Sequence, residues 1–237
     1  SSLNSLFDDF GYSLSENLGR RNALLSQAQE KELAKILQLE YGDDQVVCDG
    51  RPGRPDILIK CLDKELECKL TSGHGKSRTF SLQTDYETLK KKGSLDYLYV
   101  LSNPDFDKFC VLFFHGLTVD DFHPPANGSR GKARMNKGTA MEKVYVLWGS
   151  AHLKNKILQE KWETSLNEIV KEKAGKIGSL NYKLKSTPSG ASIEMGKIAN
   201  TLKVEEERYE KKIKHIAGKI DYWKQTNARY TFTLEAT

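Results

Sequence analysis

The stretch that decides the fold reads Arg54-Pro55-Asp56-Ile57-Leu58-Ile59-Lys60-Cys61-Leu62-Asp63-Lys64-Glu65-Leu66-Glu67-Cys68-Lys69-Leu70. An apolar run, Ile57 to Ile59, follows the aspartate. A turn at Leu62-Asp63 then leads into a second strand, Glu65 to Leu70. Side chains alternate along a strand, so Glu67 and Lys69 share one face and Cys68 takes the other. If the strands pair as a hairpin, Asp56 comes to lie beside Glu67 and Lys69. Two carboxylates and an ammonium then meet at one point. Carboxylates are hard oxygen ligands suited to Mg2+, which keeps several of its waters. A lysine beside them can orient or help deprotonate an attacking water.

Pro55-Asp56 followed by Glu67-Cys68-Lys69 resembles the signature of the PD-(D/E)XK nuclease superfamily, over about Gln27 to Phe114. The resemblance implies an α/β fold: a central mixed β-sheet flanked by helices, the restriction-endonuclease-like core, with a mainly helical C-terminal part. It implies a Mg-dependent, sequence-specific double-stranded DNA endonuclease, most like a Type II restriction endonuclease. In that reading Asp56 and Glu67 hold Mg2+, the Cys68 backbone carbonyl can reach it, and Lys69 assists the nucleophile. A helix before the hairpin often adds a carboxylate in this superfamily, and Glu40 is preferred over Glu32 for that place. Palindromic sites are read by two-fold dimers, so a homodimer is expected. The alternatives are a Holliday-junction resolvase or DNA-repair nuclease, or a non-catalytic DNA-binding protein of the same fold. For the hairpin itself, the bland alternative is a surface Glu-x-Lys ladder.

The rest of the composition bounds this reading. With 29% charged and 38% hydrophobic residues the chain is globular, not disordered. No apolar run is long enough to span a bilayer, and no secretory leader is visible, so a cytoplasmic, prokaryotic protein with no membrane partner is expected. Cys48, Cys61, Cys68 and Cys110 lack CxxC spacing and read as reduced thiols. Residues 1–56 carry six Lys/Arg against ten Asp/Glu, whereas 126–161 carries eight against two. A basic block beside an acidic one fits a protein that grips phosphates with one surface and a cation with another.

Two parts are expected: 1–120 with the N-terminal helices and catalytic core, and 121–237 with a basic loop, helices and a closing strand. Ser26 and Gln29 read as a capping box for a helix ending at Gly42. The loop after the motif offers Lys76 and Arg78 to phosphates, with His74 as a further contact. A helix from about Phe80 to Lys92 carries Gln83. The segment Asn127 to Lys137 reads as a flexible basic loop for groove contacts through Arg130, Lys132, Arg134, Asn136 and Lys137. Helices are expected from Leu153 to Lys173 and from Ile193 to Thr226, with a turn-like stretch Gly178–Gly196 between them. Leu202, Tyr209, Ile216 and Trp223 recur every seven residues, which suits either a dimerisation arm or an amphipathic helix packed on its own domain.

Overall fold

The computed structural model describes residues 18–51, 54–73, 80–126 and 131–236. Lys76, Arg78, His74 and Arg130 lie outside them. Among the described residues no helix is long and apolar enough to cross a membrane.

Helix α1 (Leu18–Tyr41) starts eight residues before Ser26, so Ser26 lies inside the helix and does not cap it. Gly42 ends it at φ +98°, donating its N–H to the Gln38 carbonyl at 2.8 Å. Three antiparallel strands follow: β1 (Val46–Val47), β2 (Ile57–Ile59) and β3 (Lys64–Ser72). The β2–β3 connection is a 3-10 turn, Lys60–Leu62, closed by Asp63 in the left-handed conformation. The expected hairpin is present, with Ile57 opposite Leu66 and Ile59 opposite Lys64.

The segment expected to be helical from Phe80 instead contains a strand, β4 (Gln83–Asp85), and only then helix α2 (Tyr86–Lys92). The Asp85 carboxylate accepts the Thr88 N–H and fixes the start of α2 there. After this crossover β5 (Leu95–Ser102) runs parallel to β3, and β6 (Lys108–Leu117) runs antiparallel to β5. Strands β7 (Phe122–His123) and β8 (Lys132–Met135) join β4 in a three-stranded sheet ordered β4-β8-β7. A short helix α3 (Lys137–Ala140) precedes β9 (Val144–Trp148), which pairs with β6. The main sheet is therefore mixed, ordered β1-β2-β3-β5-β6, with both β9 and the terminal strand β12 (Glu235–Ala236) on β6. An α/β fold with a mixed central sheet flanked by helices is what the resemblance implied.

One face of this sheet is sealed by α1. Leu33, Ala34 and Leu37 recur at helical spacing and pack with Val46, Ile57, Ile59, Cys68 and Leu98. Burying an aliphatic side chain of this size contributes about 1.5–3 kcal/mol. On the other face Tyr97, Tyr99 and Phe114 are buried, with Tyr97 stacked on Tyr99 and Tyr99 edge-on to Phe114.

The compact units do not follow the division expected at residue 120. One unit comprises 1–151 with 231–237, and the other is 152–230. The second is a hairpin of α4 (Lys154–Ser186) and α5 (Ser192–Gln225), so the stretch expected to be turn-like from Gly178 is mostly helix. The seven-residue stripe of α5 buries Tyr209 and Ile216, and the Tyr209 hydroxyl donates to Glu172 of α4 at 2.7 Å. The stripe therefore packs within the chain's own hairpin. A two-stranded sheet of β10 (Ser150–Leu153) and β11 (Tyr230–Thr233) completes the elements.

Between β9 and β10, Gly149 turns at φ +76°, and a Cβ there would meet the Thr233 carbonyl oxygen at 2.5 Å. Gly149→Ala is expected to cost about 1–3 kcal/mol from the positive φ, and more from the clash. Thermal unfolding checks this, and an unchanged midpoint would show that the turn is not built this way.

Candidate functional site

Strand alternation sets the site. On β3, Cys68 points into the core beneath α1, only 2% exposed, which turns Glu67 and Lys69 to the opposite face. Asp56 stands just before β2, held at the strand entrance by Pro55. Its Oδ2 accepts the Cys68 backbone N–H at 2.7 Å, so a side chain continues the ladder where β2 has not yet begun. In an extended strand a residue's N–H and C=O face the same edge, so the Cys68 carbonyl faces the Asp56 side as well.

Lys69 Nζ donates to Glu67 Oε2 at 2.7 Å and lies 3.5 Å from Asp56 Oδ2. The three side chains that sequence spacing brought together are thus in contact. They are sheltered but reachable, with Glu67, Asp56 and Lys69 side chains 16%, 25% and 32% exposed. Burial works against the Lys69 charge, yet the Glu67 and Asp56 carboxylates outweigh it and hold its pKa above the usual lysine range. At neutral pH this lysine is an ammonium: a donor, not a base.

A fourth group was not foreseen. Glu30, on α1, has its carboxyl pKa raised by burial first and then by the negative charges of Asp56 and Glu67, against the lowering effects of Ser26 and Lys69. The Ser26 hydroxyl donates to Glu30 Oε1 at 3.2 Å. The glutamates expected here are elsewhere: Glu40 is exposed, and Glu32 is exposed and paired with Lys35. Helical geometry gives the reason. Glu30 precedes Leu33 and Ala34 by three and four residues and so shares their face, whereas Glu40, though three residues after Leu37, falls in the last turn of α1 and is exposed.

The tyrosine layer braces the site from below. Tyr97, its hydroxyl pushed up to about 12 mainly by burial, shares a hydrogen bond of 2.7 Å with Thr84 Oγ1. Tyr99 donates to the Gln83 carbonyl at 2.8 Å. Both bonds fasten β4 to β5. Beside Asp56 opens a cleft of 540 Å³ between α1 and the Asp49–Asp56 loop, lined among others by Gln27, Glu30, Lys31, Arg51 and Arg54.

Among the described residues no three His, Cys, Asp or Glu side chains are gathered around one point as a ready-made metal cage. Mg2+ does not ask for one. It takes one or two carboxylates and fills its remaining positions with water and phosphate oxygens. Asp56 and Glu67, with an inward-facing carbonyl edge at Cys68 and excess negative charge from Glu30, fit that requirement.

The expected DNA contacts divide. Lys132 and Arg134 belong to a strand, not a flexible loop: Arg134 pairs with Gln83 of β4, and both basic side chains are on the exposed face of β8. Gln83 is on β4, and its amide donates to Ser81 Oγ at 3.0 Å. Asn136 caps α3, accepting the Gly138 N–H at 3.1 Å. Lys137 is drawn inward, donating to the Phe80 carbonyl at 3.0 Å with its charge over the Phe232 ring, and burial lowers its pKa.

No protein-family model matches this chain, and no curated protein matches it. A solved structure described as a restriction endonuclease in complex with substrate DNA is similar to 60% of this chain and 84% of its own, at 16% identity and a TM-score of 0.34.

Because the site depends on Cys68 facing the core, the thiols report on it. Burial raises the Cys68 pKa far above the ordinary thiol range and that of Cys110 to about 11, while Cys61 is exposed. Thiolates, not thiols, react. Alkylation of the native chain, read by peptide mass spectrometry, should label Cys61 and reach Cys68 only on unfolding. Early labelling of Cys68 would mean the β3 faces are reversed.

Proposed function

We propose that the chain is a nuclease that hydrolyses DNA phosphodiesters with Mg2+ at Asp56, Glu67 and Lys69. The observation that carries this reading is the contact of two carboxylates and one ammonium, of which Asp56 also lines the cleft beside α1. Asp56 and Glu67 would hold the metal, with the Cys68 carbonyl in reach and Glu30 adding negative charge. When bound, Mg2+ supplies positive charge at the phosphate and lowers the cost of forming hydroxide from water.

The protein's own groups account for the rest. Lys69, kept charged by its carboxylate partners, donates to a phosphate oxygen or to the attacking water and stabilises charge that grows in the transition state. Asp56, anchored by the Cys68 N–H, keeps its orientation when Lys69 shifts toward substrate. Water attacks phosphorus, the bond to the 3′ oxygen breaks, and a 5′-phosphate and a 3′-hydroxyl result. Lys132 and Arg134 on β8 offer fixed positive charge to the strand, and arginine can also read guanine bidentately. The finer reading is a site-specific double-strand endonuclease acting as a homodimer, since a two-fold dimer matches a two-fold site.

The test is incubation of plasmid and linear duplex DNA with Mg2+ and with chelator. Discrete fragments are the expected product, and cutting confined to four-way junctions would instead favour a resolvase. Asp56→Ala, Glu67→Ala and Lys69→Ala should each lower the rate by about 10²-fold or more, the scale of losing one preorganised electrostatic group. Calorimetry should show Mg2+ binding weakened by the two carboxylate changes and largely kept in Lys69→Ala. A variant that folds and cuts at the wild-type rate removes its residue from the mechanism.

A further inference from the structure

The loop from Asp49 to Asp56 carries two arginines that nothing in the site so far uses. Asp49 gathers both of them. Its Oδ1 accepts the Arg51 backbone N–H at 3.1 Å, and its Oδ2 lies 3.7 Å from Arg51 Nε and 3.4 Å from Arg54 Nη1. Asp49 is sheltered at 24% exposure, whereas the two arginine side chains are 71% and 56% exposed on the cleft wall. Ion pairs to such exposed partners add little stability, so the effect of Asp49 is to place two guanidinium groups together at a chosen spot.

That spot has a definite electrostatic setting. The cleft lined by Arg51, Arg54 and Lys31 is lined also by the carboxylates Asp56 and Glu30. A ligand with one anionic group answers only part of that lining. A chain of phosphates answers both kinds of group: one phosphate meets the carboxylates with a cation, and the next meets the arginines directly. Guanidinium groups suit that second phosphate because their planar donors match its oxygens in pairs.

We propose that Arg51 and Arg54, placed by Asp49, clamp the phosphate next to the scissile one on the strand being cut. The clamp rests on the nuclease reading of Asp56, Glu67 and Lys69, and it sets the register in which the strand crosses them. Arg51 and Arg54 bind substrate, and Asp49 is a positioning residue.

The test separates binding from cutting. The full chain is titrated, in chelator, against a fluorescein-labelled mixed-sequence DNA duplex over a range of salt. Replacing both residues (Arg51→Ala with Arg54→Ala) should reduce the slope of log affinity against log salt by about 0.9, the value for the one phosphate they share. Arg54→Lys should keep its share of the slope, because the charge remains. Asp49→Asn should weaken binding while keeping the slope. An unchanged thermal midpoint certifies the fold of each surface variant. With Mg2+, a single methylphosphonate beside the cut position should slow the wild type and add no further penalty to the double variant. An unchanged salt slope, or an undiminished methylphosphonate penalty, in a chain that does cut overturns the clamp alone. A slope that falls although the wild type cuts nothing overturns the nuclease reading, and with it the placing of this clamp beside a scissile phosphate.

Discussion

The hydrogen bond from the Cys68 N–H to the Asp56 carboxylate, 2.7 Å long, is the constraint on which the site depends. It ties the first residue of the motif to the middle of β3 and fixes register where the β2 ladder ends. A strand has a side-chain period of two, so a slip of one residue would turn Cys68 outward and drive Glu67 and Lys69 under α1. Burying that ion pair in an apolar layer would carry a desolvation cost that its mutual attraction need not offset. The core under α1 therefore does more than stabilise the sheet. Ile57, Ile59 and Cys68 must all be inside for the two carboxylates and the ammonium to be outside.

Once the register is set, the electrostatics follow. Asp56 and Glu67 bear on Glu30, and Lys69 offsets part of that charge. Both kinds of group respond: the carboxylates make the lysine hold its proton more firmly, and burial first, then the neighbouring carboxylates, makes Glu30 hold a proton longer than a solvated glutamate would. Such a cluster is short of positive charge, which a divalent cation supplies. The basic groups Arg51, Arg54 and Lys31 line the cleft together with Asp56 and Glu30. The Asp56 carboxylate, held by the Cys68 N–H and in reach of Lys69, is what distinguishes this arrangement from an ordinary surface ladder of Glu and Lys.

The hairpin and its facing residues were legible because strand periodicity is local: Asp56, Glu67 and Lys69 are close in sequence and need one turn to meet. The mixed sheet was expected through the family resemblance that those residues carry, not from strand periodicity. Glu30 was not, because its position depends on which face of α1 is buried, and the start of that helix carried a misleading signal. Ser26 followed by Gln29 has the form of a capping box, yet the helix runs through it from Leu18, and the Ser26 hydroxyl bonds Glu30 instead. Its spacing of four from Ala34 puts Glu30 on the Leu33–Leu37 stripe, but Glu40, three residues after Leu37, has the same kind of spacing, so the pattern alone does not choose between them. Gln83–Asp85 was read as helix for a related reason. Its strand pairing is with β8, some fifty residues later, and tertiary pairing of that range leaves little local trace.

The basic block after the core shows why positive charge and binding capacity are different things. Read as a loop, its five cationic or amide side chains looked equivalent. Folded, they are not. The exposed-buried alternation of β8 turns Lys132 and Arg134 outward while Ala133 and Met135 pack inward. The next two residues serve the fold, Asn136 as a cap and Lys137 as a half-buried donor to the Phe80 carbonyl. A side chain held on a paired strand loses less freedom on meeting a ligand than one on a flexible loop, so more of its contact energy survives as affinity. Arg134 also has Gln83 as its cross-strand partner, on a strand fastened to β5 by the two tyrosine hydroxyls. A hydrogen-bonded connection thus runs from the sheet beneath Lys69 to the exposed face of β8. Under the proposed function, that connection would hold the strand-contacting side chains at a fixed distance from the residues that cut.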